Sequence, residues 1–394
     1  MPPVLPPPDV APLPAGEPQL RVGLLVEART VTIGGGVGLR VVEPDGALVA
    51  RLPAGSTATV TLDPRGVAVA SGPLRAVGDQ FALVADEGGT IRVNGREYRG
   101  EVALLRERGG VTVVNRLGIE AYLDGVVNAE MGTRGEGERT AVEAQAIVSR
   151  TYALRNLGRW REQGFDLRSS VADQAYAGVS AETPMGRTAV ATTRGQVLTW
   201  HGELVDAFFF STCGGRTARG TEIFRAADRP YLRSVEDVAP DGSAYCSASP
   251  RFRWEERWSG AQLRATLQAT LPEVMQLPAS SVDRVRNIEV TRTSGSGRAA
   301  ELGISLDRQD VRVDAPRIRL VLRPRPNELL RSNTIELTVR HEGGRVSELV
   351  VRGRGAGHGV GFCQWGAVGR SRAGQNAAQI LAAYYPGTAI TRRY

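Results

Sequence analysis

Between Asn115 and Leu154 the chain reads NRLGIEAYLDGVVNAEMGTRGEGERTAVEAQAIVSRTYAL, its only sustained helical periodicity. Ile119, Tyr122, Leu123, Val126 and Val127 recur at offsets of three and four, the buried stripe of an amphipathic helix. Glu130 is the next position on that stripe, with Met131 beside it. A carboxylate is rarely buried without a partner or a purpose. In a poorly hydrated setting its pKa rises, and it can carry a proton at neutral pH as a general acid. The plainer alternative ends the stripe at Val127 and leaves Glu130 solvated, paired with Arg134 four residues on. Gly132, Gly135 and Gly137 break the helix, and a second is expected from about Glu138 to Leu157. Ala141, Ala144, Val148 and Tyr152 share one of its faces with Gln145. Small residues there allow close helix packing, so Gln145 either projects toward Glu130 or serves as an ordinary buried amide.

Before this element, from about Leu20 to Val114, the pattern is all-β. RVGLLVEARTVTI, GLRVVE, ALVARLP, TATVTL and GVAVAS are short alternating runs separated by Gly, Pro and Asp. Asp-Gly in EPDGA and Asn-Gly in NGREYRG mark hairpins. The fold class this implies is α+β: mostly antiparallel β, with a central pair of helices and a C-terminal helix. The expected layout is a Pro-rich tether over 1–20, a small β domain over 21–114, and a core over 115–394 with an insertion at about 218–330.

Charge narrows the chemistry. The sequence contains no lysine, so all 49 basic residues are Arg. That excludes Schiff-base lysines and the P-loop and favours planar recognition of carboxylates or phosphates. A net charge of +7 suits a polyanionic partner, but the Arg residues are scattered and no nucleic-acid motif accompanies them, so no nucleic-acid partner is expected. No stretch approaches the ~20 apolar residues that span a bilayer. MPPVLPPPDVAPLPAGEP has neither a basic start nor an apolar run, and reads as an extended tether rather than an intact signal peptide.

Later segments supply further candidates. FDLRSSVADQAYAG (Phe165 to Gly178) reads as a polar loop carrying Asp173, Gln174 and Tyr176. GQVLTWHGELVDAFFFS is a strand pair with His201 in a solvated turn. STCGGRT (Ser211 to Thr217) places small residues and free backbone N–H groups at a strand end, suited to an anion-binding nest. From 218 to about 330, PYLRSVED suggests a strand, FRWEERWSGAQLRATLQATL a strand and a helix capped by Ser259, and Ile288 to Leu320 further strands. TIELTVRHE and GRVSELVVRG follow as a strand pair, with His341 at the surface. GRGAGHGVGFCQWG packs six glycines into fourteen residues, without the spacing of a dinucleotide loop. It presents His358, Cys363, Gln364 and Trp365, an aromatic and an amide suited to a sugar ring. The chain closes with a helix, AAQILAAYY, stopped by Pro386-Gly387. Three cysteines, Cys213, Cys246 and Cys363, permit at most one internal disulfide. None forms a CxxC pair, so spacing signals no metal site and no cofactor is expected.

Three segments together resemble the SpoIID/LytB family of cell-wall proteins. They are EAYLDGVVNAEMG with AVEAQAIVSRTYAL, ADQAYAG with FFFSTCGGRT, and GRGAGHGVGFCQWGA with ILAAYYPGT. The resemblance covers roughly Asn115 to Tyr394, loosely over 218–330. It implies peptidoglycan as partner and an extracytoplasmic setting, in the cell envelope or secreted. Its sporulation members look like lytic transglycosylases that cut between N-acetylmuramic acid and N-acetylglucosamine, and the glutamate of their essential motif falls on Glu130. Other members are described as enhancers of N-acetylmuramoyl-L-alanine amidases, which would make such an amidase a partner. Some sporulation members bind zinc, with no ligand set that maps residue by residue here. This chain has Gly132 where Pro is usual, and Cys363 where Ser is common. The substrate-binding candidates are Gln145 and Arg150 on the second helix, Asp173, Gln174 and Tyr176 in the polar loop, and Ser211, Thr212, Gly214, Gly215, His358, Gln364 and Trp365 downstream.

Two readings compete with a transglycosylase. One is a glycan-presenting module with no turnover, in which Glu130 only binds sugar. The other is a hydrolase pairing Cys363, Cys213 or Ser211 with His358, although Ser211 lacks a GxSxG elbow. If the protein is exported, Cys213 and Cys246 are the pair expected to form a disulfide. A shared metal site using Cys213, Cys246 and a histidine is the weaker alternative.

Overall fold

A computed structural model of the protein describes residues 16–224 and 228–394. Most of the proposed tether over 1–20 lies outside them. The chain forms two compact units, one running to Asp206 and taking in Ala389–Tyr394, the other spanning Ala207–Thr388. The architecture is α+β and its sheets are mostly antiparallel.

The first unit contains two large sheets. One has the strand order Leu167–Arg168, Gln19–Ala28, Val111–Gly118, Glu101–Arg106, Gln80–Ala85, Leu39–Val42 and Leu48–Leu52; the other joins six strands between Thr30 and Tyr98. Alternation does what the sequence suggests. In Thr57–Asp63, Ala58 and Val60 are buried while Thr57 and Thr59 face out. The Asn94-Gly95 turn carries φ of 46° and 83°, as a two-residue hairpin turn requires. A boundary at 114/115 would cut the strand Val111–Gly118, whose residues pair in register with Gln19–Ala28.

That strand runs directly into helix α1, Ile119–Met131. Its stripe of Ile119, Tyr122, Leu123, Val126 and Val127 is fully buried. Gly132, at φ 69°, ends the helix with its N–H on the Asn128 carbonyl. Gly125 matters for proximity: a Cβ there would lie 2.6 Å from the Tyr176 ring. Helix α2, Arg139–Arg155, is buried on most of its surface, the polar Gln145, Ser149, Arg150 and Thr151 included. Helix α3 is Pro184–Thr192. A small third sheet joins Glu203–Leu204, Gln196–Trp200 and Ala389–Arg392. The expected C-terminal helix, Ala377–Tyr384, is thus followed by a short strand. His201 sits in the hairpin turn at φ 49°.

The second unit has its own core. Leu263, Leu267 and Leu271 pack with Ile288, Leu302, Ile304, Val313, Leu349 and Val351. The short helix α4 is Gly220–Ile223, and α5, Gly260–Met275, starts with a capping box between Ser259 and Gln262. Alternation does not continue to Leu320: Pro316 opens helix α6, Ala315–Val321, at a position where a missing N–H costs nothing. PYLRSVED contributes one isolated bridge, Glu236 with Arg216, instead of a strand. Phe209–Phe210 pairs in parallel with Phe362–Cys363, followed by α7, Gln364–Arg372, and α8, Ala377–Tyr384.

Candidate functional site

Glu130 lies in the last turn of α1 and is half-buried. Its Oε1 accepts the Ala175 backbone N–H at 2.6 Å. The loop that brings Ala175 there is exposed at Ser170 and Val171 but buried at Asp173, Gln174 and Tyr176, and these three side chains hold it. Asp173 accepts from the Trp160 indole at 2.7 Å and the Arg168 amide at 2.8 Å, and pairs with Arg159 at 3.1 Å. Gln174 Oε1 accepts from the Tyr122 hydroxyl at 3.2 Å. Tyr176 donates to Asn115 at 2.8 Å, its ring 4.9 Å from that of Tyr122. Burial, then the neighbouring Asp173, pushes the Tyr122 phenol up, and Glu130 adds to the shift. Tyr122 therefore remains a donor at any working pH. The Gln174 amide nitrogen is buried with no partner among the described residues.

This differs in kind from an acid on a purely apolar stripe. The stripe is dry up to Val127, but the Glu130 carboxylate meets a fixed backbone donor, the Ala175 N–H. Gln145 is fully buried, and its amide donates to the Ser149 hydroxyl at 2.9 Å. Arg150 is spent inside the protein. Its guanidinium is fully buried and bidentate to Glu120 at 2.9 and 2.6 Å, and it also donates to the Val190 and Gln196 carbonyls. Asp173 and Tyr176 are likewise occupied, so what they do for the site is position Ala175.

One group was not singled out by its sequence context. Burial, followed by repulsion from Glu182, pushes Asp124 on α1 up to about 6, and its Oδ1 is buried without a partner among the described residues. A carboxyl raised in the folded state gains nothing below its unfolded pKa of roughly 4 and is penalised as pH rises through 4 to 6. After solvent screening, Asp124→Asn is expected to stabilise the protein by about 1 kcal/mol at pH 7. Melting temperatures of both forms between pH 4 and 7 test this: the variant's advantage should grow with pH, and a constant gap rejects it.

The remaining candidates belong to the second unit. Thr212 and Ala356 exchange backbone hydrogen bonds of 2.9 and 2.8 Å, and the Trp365 amide donates to Ser211 at 3.0 Å. Gly355, Gly357, Gly359 and Gly361 all have positive φ, which explains the alternate-glycine spelling of this loop. Gly214 and Gly215 share that conformation. Gln364 is buried, and Trp365 is partly exposed. His358 packs among Phe208, Phe210 and Phe224. Burial, then the nearby Arg319, pushes its pKa down to about 3. Its Nε2 bonds the Phe209 carbonyl at 2.8 Å and Nδ1 accepts from the Val360 amide at 3.1 Å. With both nitrogens committed to backbone, His358 is no base for Cys213, Cys363 or Ser211. All three cysteines are buried and unbridged in this structure.

Residues 107–200 match the SpoIID family, described as stage II sporulation protein, and residues 243–361 match a domain of unknown function (DUF8618). The SpoIID likeness thus falls on the segment that carries Glu130 and Ala175. It is 28% identical over 295 residues to stage II sporulation protein D of Bacillus subtilis (strain 168), covering 71% of this chain and 76% of that one. The amidase enhancer of the same organism is 25% identical over 295 residues, 68% of this chain but 40% of the enhancer. An uncharacterized protein of Brachyspira hyodysenteriae (strain ATCC 49526 / WA1) is 29% identical over 299 residues, 76% of this chain and 73% of that protein. Among the described residues no helix is long and apolar enough to cross a membrane.

Proposed function

We propose that this protein is a lytic transglycosylase of the cell envelope, acting on peptidoglycan glycan strands with Glu130 as its general acid and base. The observation that carries the reading is the 2.6 Å bond from the Ala175 amide to Glu130, within the SpoIID match. Protonated Glu130 donates to the glycosidic oxygen as the bond to the muramic acid carbon breaks, freeing the neighbouring sugar's hydroxyl. The muramic acid's own hydroxyl then attacks that carbon, and its proton returns to Glu130. An anhydro end forms, no water is consumed, and no second carboxylate is needed. Between the two transfers Glu130 is an anion, the state that the Ala175 N–H stabilises. The Arg-only basic surface suits the carboxylates of wall peptides.

Incubating the protein with intact and peptide-stripped glycan strands tests the reading, with anhydro-muramyl ends as the expected product. Reducing ends instead would mean a hydrolytic muramidase. The relationship to an amidase enhancer favours one second reading, a glycan-presenting partner of an N-acetylmuramoyl-L-alanine amidase. No product from the protein alone, with faster turnover by a partner amidase, would replace the first reading with that one.

A further inference from the structure

The second unit holds a group of side chains for which glycan cleavage has no use. Cys213 follows the strand Phe209–Phe210, and Cys363 ends its parallel partner. Asp237 and Cys246 come from the intervening chain. All four are buried, at 2, 0, 0 and 0% exposure for Cys213, Cys363, Asp237 and Cys246. Their three sulfurs and a carboxylate oxygen lie within 4.8 Å of one another. Cys213 Sγ is 3.4 Å from Cys246 Sγ and 3.1 Å from Asp237 Oδ2. Sulfurs around a tetrahedral zinc, each about 2.3 Å from the metal, stand about 3.8 Å apart. The four atoms already have nearly that spacing.

The surroundings fit thiolates. The Cys213 and Gly366 amides donate to Cys363 Sγ at 3.1 and 3.2 Å, and the Gly215 amide donates to Cys213 Sγ at 3.3 Å. The N–H groups of the STCGG turn thus point at sulfur. Arg370 Nε binds Asp237 Oδ1 at 2.9 Å, and Tyr384 donates to the same carboxylate. This fixes the carboxylate with Oδ2 toward Cys213, as partners behind a metal ligand do. Gly366 leaves room for it, since a Cβ there would lie 2.1 Å from Asp237 Oδ2.

We propose that Cys213, Asp237, Cys246 and Cys363 form a four-coordinate structural zinc site. Three thiolates and one carboxylate select zinc among the available divalent ions. Four protein ligands leave no open position, so the ion would staple three stretches of chain rather than catalyse. It would hold the STCGG turn against the glycine loop.

The test uses the full chain purified without chelator. Elemental analysis should find one zinc per molecule. A mercurial that caps thiols should release that zinc as three thiols react, and cobalt exchange should give a thiolate-to-metal charge-transfer band. Asp237→Asn and Cys246→Ser should each weaken zinc binding at least ~10-fold. The wild-type titration stands even if the variants do not fold. Metal-free protein with three free thiols would overturn the proposal. So would a Cys213–Cys246 disulfide, seen as two hydrogens lost in the non-reduced mass. An unchanged affinity and cobalt spectrum in Asp237→Asn would refute the four-ligand set.

Discussion

Arg150→Met is expected to destabilise the first unit by about 3–5 kcal/mol, the usual cost of stranding one partner of a buried ion pair. Arg150 is fully buried and Glu120 is 7% exposed. Among the described residues, removing the guanidinium leaves the Glu120 carboxylate hydrogen-bonded to only the Gly195 amide and the Tyr394 hydroxyl. Burial by itself would raise the Glu120 pKa, but the hydrogen bonds and charge of Arg150, joined by the Tyr394 hydroxyl and the Gly195 amide, together outweigh it and hold the group below its ordinary 4.5. Such a group contributes stability above its unfolded pKa and loses it as pH falls through the folded one. The cost of the substitution should therefore be full at pH 7 and shrink in acid. Denaturant melts at pH 7 and pH 4 measure it. The double variant Arg150→Met/Glu120→Met should recover much of the loss; if it is as unstable as the single variant, the pair is not the cause.

Glu130→Gln should remove formation of anhydro-muramyl ends by at least about 10²–10⁴-fold, the range for a positioned general acid or base, while glycan binding persists. The amide oxygen can still accept from Ala175, so the melting temperature should barely move. That separation matters, because loss of activity with loss of fold would say nothing about proton transfer. Retained turnover in a folded Glu130→Gln protein would move the chemistry to another group.

What could be read from the letters was local. The Asn94-Gly95 and Gly343-Gly344 turns require positive φ at both central residues, and they have it. Ser259 caps α5 within three residues of itself. The stripe of α1 needed only its own spacing. Partners far along the chain left no such trace. Nothing near Arg150 points to Glu120, thirty residues away, so a buried arginine looked available to a ligand. Asp173 looked like loop polarity because Trp160 and Arg159 reach it only after folding. Cys213 and Cys246 drew notice as cysteines, but Asp237 has no spacing that marks it. The helix at Ala315–Val321 did carry a signal in Pro316, which the β alternation leading into it obscured.

The strand Ala389–Arg392 bears on how the protein is made. It pairs with Gln196–Trp200, Thr391 opposite Val197, and Tyr394 beyond it reaches Glu120. A ribosome must therefore add the whole second unit before the first can finish, an interval of roughly 10–40 s at ordinary elongation rates. Throughout it, the nascent chain carries an open strand edge at Gln196–Trp200, a template for mispairing with a neighbouring polypeptide. The second unit, contiguous from Ala207 to Thr388, has no such wait.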